Sequence, residues 1–324
     1  MSRFLNPLTT ERDAASATGA VTLPAPDCVA LDRVVLLAGG LKPSPLMAAS
    51  GMSTLDLPLD RGGRSLVERW RRQIVAAQPG GRTRTSFILA ESSAGPRSER
   101  AREVTEADAR FTMTDDPGLR GPAGAVRDLS DDLDDNATIL IVEAMRYSTS
   151  DLSDALTSAA RGKAEVTVFR HDDDRPAGLY LTTARMLRLI ADEGFIDIKE
   201  QWLQAVLGRG VEVRVVEMAD GYSLPVRTLE DAIAVAYSSH PAAEGMSPVR
   251  RFATQTETTG DAGAFIDPTA EIHSDAITAN SIIAADAIIE ADALVVRSVI
   301  GAGAVVSRGT VVVDRVVKRG ERVR

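Results

Sequence analysis

The sequence predicts an α/β fold with a mostly parallel sheet, followed by a short left-handed parallel β-helix. Three observations predict it. Short aliphatic strands alternate with amphipathic helices between residues 33 and 239. A polar segment punctuated by Pro and Gly fills 240–264 and reads as a linker. From 265 to 324, aliphatic residues recur at a fixed long step. Residues 1–32, polar, small and Pro-interrupted, read as a loosely ordered lead-in.

The first strand is Val34-Val35-Leu36-Leu37-Ala38, stopped by Gly39-Gly40. Such an unbroken apolar run suits a parallel strand covered on both faces. A helix opens at Ser65, where Ser65 and Glu68 have capping-box spacing. Leu66, Trp70 and Ile74 share its apolar face, and Pro79-Gly80-Gly81 ends it. Ser86–Leu89 and Ile139–Val142 read as further strands, and Leu152, Leu156 and Ala159 mark another helix. The stretch 92–116 is charged and has no clear period. Val166–Phe169 and Leu179–Leu181 are strands. Two more helices carry N-caps, Asp197 with Glu200 and Thr228 with Asp231. Leu203, Val206 and Leu207 give the first of these an apolar face.

In the last segment Ile266, Ile283 and Ile300 are each 17 residues apart. Ile272, Ile289 and Val306 keep that step, as do Thr278, Val295 and Val312. Small residues follow at the fourth position: Ala270, Ala276, Ala287, Ala293, Ala304 and Thr310. A triangular coil needs one inward aliphatic per side and a small residue at each corner. An antiparallel sheet with alternating valines would not produce the 17-residue register. His273, the only histidine in this repeat, reads as a surface residue.

Composition narrows the function. Hydrophobic residues are 44% of 324, enough for a core. A formal net charge of −9, with no dense Lys/Arg block, argues against a nucleic-acid partner. Cys28 is the only cysteine, so no intramolecular disulfide forms and a Cys-built zinc site is not expected. No signal-peptide core and no apolar run of about 20 residues is present, so no membrane partner and a cytoplasmic location are expected.

Four stretches carry a family resemblance. They are Leu37-Ala38-Gly39-Gly40, then Leu57-Pro58 with Gly62-Gly63-Arg64-Ser65-Leu66, then Gly121-Pro122-Ala123-Gly124-Ala125-Val126-Arg127. The fourth runs from Ala177-Gly178-Leu179-Tyr180 to Tyr222 and Thr228–Asp231. In this order, with hexapeptide repeats behind them, they resemble the sugar-1-phosphate nucleotidyltransferases (NDP-sugar pyrophosphorylases, mannose-1-phosphate guanylyltransferase-like). The resemblance implies a Rossmann-like nucleotidyltransferase domain over 33–239 and a β-helix over 265–324. It also implies nucleotide contacts at Ala38, Gly39, Gly40, Gly121, Ala123 and Gly124. An active member would form NDP-sugar and pyrophosphate with Mg²⁺.

The transfer chemistry needs cations and metal ligands around crowded phosphates, and here the chain departs from the family. After Gly39-Gly40 it reads Leu41-Lys42-Pro43-Ser44-Pro45, without the family's Gly-Thr-Arg. Lys42 reads either as a substitute cation or as a surface lysine. Ser53–Asp56 stands where the family has Lys-Pro. Glu143-Ala144 stands where a metal-binding Gly-Asp belongs, and Glu143 reaches a metal only if the register slips. Pro225 occupies the second metal position and has no ligating side chain. The sugar-contacting excursion is reduced to Arg170–Pro176, whose three aspartates read as a solvated turn. No metal site is assigned.

Gly121–Arg127 survives. Its small residues suit either a nucleobase or close helix–sheet packing. The first functional reading is a catalytically degenerate member that binds nucleotide or nucleotide sugar as a regulatory subunit. The second is an active transferase with a rebuilt site using Lys42, Glu143 and Arg127. The third is a hexapeptide acyltransferase or structural assembly protein. Each expects a homo-oligomer through the β-helix, and the first adds a catalytic paralogue as a partner.

Overall fold

A seven-stranded sheet organises the N-terminal two-thirds of the chain. The computed structural model describes residues 29–38, 42–60, 62–78, 84–90, 96–116, 120–162, 164–191, 193–218, 221–238 and 264–324. The expected lead-in therefore lies mostly outside the described residues, as do the linker and the nucleotide contacts expected at Gly39 and Gly40. In chain order the elements begin β1 (Arg33–Leu37), α1 (Pro45–Ser50), α2 (Leu66–Ala77), β2 (Arg84–Ala90), α3 (Glu99–Ala107) and β3 (Phe111–Asp116). They continue α4 (Gly121–Asp128), β4 (Thr138–Glu143), β5 (Arg146–Ser148), α5 (Leu152–Ala160), β6 (Val166–His171) and β7 (Pro176–Thr183). Then come α6 (Ala184–Leu187), a π-helical turn (Ile198–Trp202), α7 (Leu203–Gly208), β8 (Val213–Met218), β9 (Ser223–Pro225) and α8 (Leu229–Ser238).

The strand order is β3-β2-β1-β4-β7-β6-β8. Every pairing is parallel except those of β7, which runs against β4 and β6. Strand alternation divides the core between the two faces. Val34, Leu36, Leu140 and Val142 pack on one face with Trp70, Leu156 and Val235. Val35, Ile139 and Ile141 pack on the other with Val126, Leu187 and Val206. This is the expected α/β class.

The C-terminal segment is a stack of short parallel strands, consistent with a left-handed β-helix. Ile266, Ile283, Ile300 and Val317 are register partners, level on level. So are Ile272, Ile289, Val306 and Val323, and the third row is Thr278, Val295 and Val312. Thr278 is buried like the aliphatics above it. The corners use left-handed backbone at the same step, at Asn280, Arg297 and Asp314 and again at Asp286, Gly303 and Gly320. One corner is laced by a serine ladder. Ser281 Oγ accepts from Ser298 N at 3.1 Å, and Ser298 Oγ accepts from Arg315 N at 3.2 Å.

The two parts share one core. Phe265, Ile282 and Val299 of the β-helix pack with residues of the sheet's first face. Arg319 N donates to Ser50 O at 2.8 Å, tying the end of α1 to the coil. Arg100 reaches Asp267 at 3.5 Å, and Glu99 takes both nitrogens of Arg319 at 2.9 and 3.2 Å. Gly63 has a left-handed φ of 69°, and a Cβ there would overlap Ile266 O and Pro268.

Three local expectations change. The stretch 92–116 holds both α3 and β3. At Ser65 the cap is one-sided. Ser65 Oγ accepts Glu68 N at 3.3 Å, but Glu68's carboxylate turns to Arg71 at 2.7 Å. Thr228 and Asp231, by contrast, close a full reciprocal box, at 2.9 and 3.1 Å. Leu207, expected on an apolar face, is exposed, and Val206 takes the core position.

Candidate functional site

From β1 the chain goes out to β2 and β3 on one side, then returns as β4 on the other. The carboxyl ends of β1 and β4 therefore flank a topological switch point, where α/β sheets place their ligands. Leu37 of β1 is the register partner of Glu143 of β4. Ala144 N donates to Leu37 O at 3.0 Å, and Trp70 Nε1 holds Ala144 O at 2.9 Å. Glu143 is thus fixed at the mouth of the crevice.

Its carboxylate accepts from three donors. Arg146 Nε donates to it at 2.7 Å, Lys199 Nζ at 2.8 Å and Tyr180 Oη at 3.2 Å. Burial alone would raise the Glu143 carboxyl. The hydrogen bonds and charges of Lys199 and Arg146 outweigh it and hold the group at about 2. Burial, and then the Glu143 charge, push the Tyr180 phenol up. Gly178 makes room for this cluster, since a Cβ there would lie 2.5 Å from Arg146 Cδ and 3.2 Å from Glu143 Cβ. The network continues inward. Arg146 donates to Ser223 Oγ at 3.3 Å, and Ser223 Oγ meets His171 Nε2 at 3.0 Å. Burial lowers the His171 pKa.

The stretch Phe195–Lys199 straps the same edge. Because α4 follows β3, it starts at the carboxyl edge, and there its first turn meets the strap. Ala123 N donates to Ile196 O at 3.1 Å, and Ile196 N donates to Arg120 O at 2.8 Å. Gly121 has φ 75°, and a Cβ would sit 2.7 Å from Ile196 O. Asp197 caps the π-helical turn through the backbone N–H groups of Lys199 and Glu200, at 2.7 and 3.0 Å. This sets the root of Lys199. The strap thus binds the Gly121–Ala123 turn at one end and Glu143 at the other.

The expected site residues separate on this geometry. Glu143 and Ala38 lie at the switch point, Ala38 in the core. Gly121, Ala123 and Gly124 are buried at the same edge, under the strap. Lys42 is exposed ahead of α1. Arg127 is carried down α4, about 9 Å from its first residue at 1.5 Å per residue, away from the carboxyl edge. Lys199, Arg146 and Tyr180 are the partners that sequence reasoning missed. The Asp172–Asp174 turn is solvated as expected, with ion pairs to Arg170 and Arg175. His273 is exposed, 3.6 Å from Asp275.

The donor set does not fit the Mg²⁺ that the family resemblance implies. Glu143 is neutralised by its own neighbours, and Pro225 pairs with Arg146 through backbone at the second position. Among the described residues, no three of His, Cys, Asp or Glu gather as a metal site would need. Among them, too, no helix is long and apolar enough to cross a membrane.

No protein-family model and no curated protein matches the sequence. Solved structures similar to this chain include a protein assigned as a glucose-1-phosphate thymidylyltransferase from Bacillus anthracis, in complex with a sucrose. It has 14% identity and TM-score 0.48, covering 67% of this chain and 97% of that one. The inositol-1-phosphate CTP transferase of T. maritima has 14% identity and TM-score 0.46, covering 63% and 92%. HddC from Yersinia pseudotuberculosis has 13% identity and TM-score 0.44, covering 62% and 96%. Function is therefore read from the residues at the crevice.

Proposed function

We propose that this chain is a nucleotidyltransferase-type protein that binds a nucleotide or nucleotide sugar at the carboxyl edge of its sheet without transferring the nucleotidyl group. It acts as a binding or regulatory subunit. One observation carries this reading. The Glu143 carboxylate at the end of β4 is held by Arg146, Lys199 and Tyr180. A metal at that position would have to displace one or more of these three donors from the carboxylate. The paired cations Arg146 and Lys199 at this edge suit a phosphate-bearing ligand.

The test is Mg²⁺-dependent release of pyrophosphate from each of the four NTPs with common hexose 1-phosphates. The proposal expects no turnover. Steady pyrophosphate release would establish the second reading, an active transferase with a rebuilt site. The observation favouring that alternative is the Lys199 ammonium beside the switch point, which supplies a cation where the family's own are missing.

A homo-oligomer built through the β-helix belongs to the same proposal. What supports it is one outer face that carries Ile277, Leu294 and Val311 in register, with Ile277 and Val311 exposed. Such rows are ordinarily covered. Light scattering should give a mass above that of one chain, and a clean monomer would contradict it.

A further inference from the structure

Three features of the Glu143 cluster point beyond ligand binding as such. The strap's backbone is fixed at Ile196 by its two hydrogen bonds to the α4 turn, and Ile198 is buried. Lys199 is different, because its side chain is 48% exposed while that of its partner Glu143 is 21% exposed. Arg146, at 15%, is further locked by Ser223 and by contact with Gly178. Only the Lys199 ammonium is therefore free to swing without disturbing the fold. Two cations, Arg146 and Lys199, share the one Glu143 carboxylate.

We infer that Glu143 is a resident anion holding the place of a ligand phosphate, and that a polyphosphate ligand enters by taking Lys199 from it. The inference rests on the nucleotide-binding reading and adds its regulation. The Lys199–Glu143 ion pair is a latch that raises the ligand concentration needed for binding. It selects ligands with enough charge to compete, so a diphosphate or triphosphate outcompetes a single phosphate. Opening the latch exchanges one carboxylate–ammonium pair for one phosphate–ammonium pair, with no bond made or broken. Arg146 then stays on Glu143 and keeps it from being left uncompensated. Tyr180 keeps its hydrogen bond to the same carboxylate.

The latch makes a prediction opposite in sign to that of a metal-ligand or catalytic role for Glu143. Neutralising the resident anion frees Lys199, so Glu143→Gln should bind more tightly. We expect about tenfold tighter binding of inorganic pyrophosphate, measured by calorimetric titration of the full chain at low salt. The gain should shrink as salt rises. Lys199→Met should lose pyrophosphate binding in both the native and the Glu143→Gln background, with an unchanged circular dichroism spectrum. Should Glu143→Gln not fold, Lys199→Met alone decides, and unchanged pyrophosphate affinity overturns the latch. Wild-type binding of nucleotides together with weaker pyrophosphate binding by Glu143→Gln overturns the latch and leaves the nucleotide reading standing. Tight pyrophosphate binding by Glu143→Gln, with no nucleotide bound by either form, overturns the nucleotide reading and leaves the latch. No binding by either protein overturns both.

Discussion

At the scale of single residues, the carboxyl edge is held by a few side chains with little tolerance. Gly121 combines a left-handed φ with a carbonyl that a Cβ would meet at 2.7 Å. Gly121→Ala should therefore lower stability by about 1–3 kcal/mol, read as a reduced urea midpoint at unchanged slope. An unchanged midpoint would mean that the strap does not press on this turn. Glu143 gives a pH signature. Its folded-state carboxyl lies at about 2 against an ordinary 4.5. A depressed acid contributes stability that is present above its ordinary value and lost as pH falls toward the folded one. Acid unfolding of the wild type should thus show a component between 4.5 and about 2, and Glu143→Gln should lack it. Glu143 was legible in the sequence as the residue after an aliphatic strand. Lys199 was not, because it sits far along the chain behind an ordinary Asp cap. Only the return of the strap across the sheet brings it to Glu143.

Among elements, α3 and its first turn are the most informative. Asp56 accepts from Glu99 N at 3.1 Å, from Arg100 N at 3.2 Å and from the Ser98 hydroxyl. Burial outweighs these donors and raises its carboxyl from 3.8 to about 6. The folded state then holds the proton more tightly than the unfolded chain. The resulting stability is complete below 3.8 and is lost as pH rises through about 6. The melting temperature of wild type relative to Asp56→Asn should fall across that window, and parallel curves would contradict the shift. This element was hidden because only Ala101 and Val104 of α3 are buried, too thin an apolar stripe to read as a period. The β-helix was legible because every coil repeats its demand for an inward aliphatic. Ile300, fully buried between Ile283 and Val317, should cost about 2–5 kcal/mol as Ile300→Ala. Val311, on the outer face, should cost far less as Val311→Thr in a chemical-denaturation comparison.

For the whole molecule, the sheet and the β-helix share one core. Phe265, Ile282 and Val299 are buried against the sheet's first face, and Gly63 admits the Ile266 carbonyl. That junction was not legible, because Gly62-Gly63 reads only as part of the family motif and its actual neighbour, Ile266, lies beyond the linker. Heating should give a single calorimetric transition, and two resolved transitions would show that the parts fold separately. On the proposed reading, ligand binds at the edge between β1 and β4, where the Glu143 carboxylate is paired with Lys199 and Arg146. The most direct measurement of that account is a thermal-shift titration of the full chain against the four NTPs and a panel of NDP-sugars. Stabilisation that grows with ligand concentration and disappears in Lys199→Met is the predicted result. No shift with any nucleotide would contradict it and favour the third reading, a hexapeptide acyltransferase or a structural assembly protein.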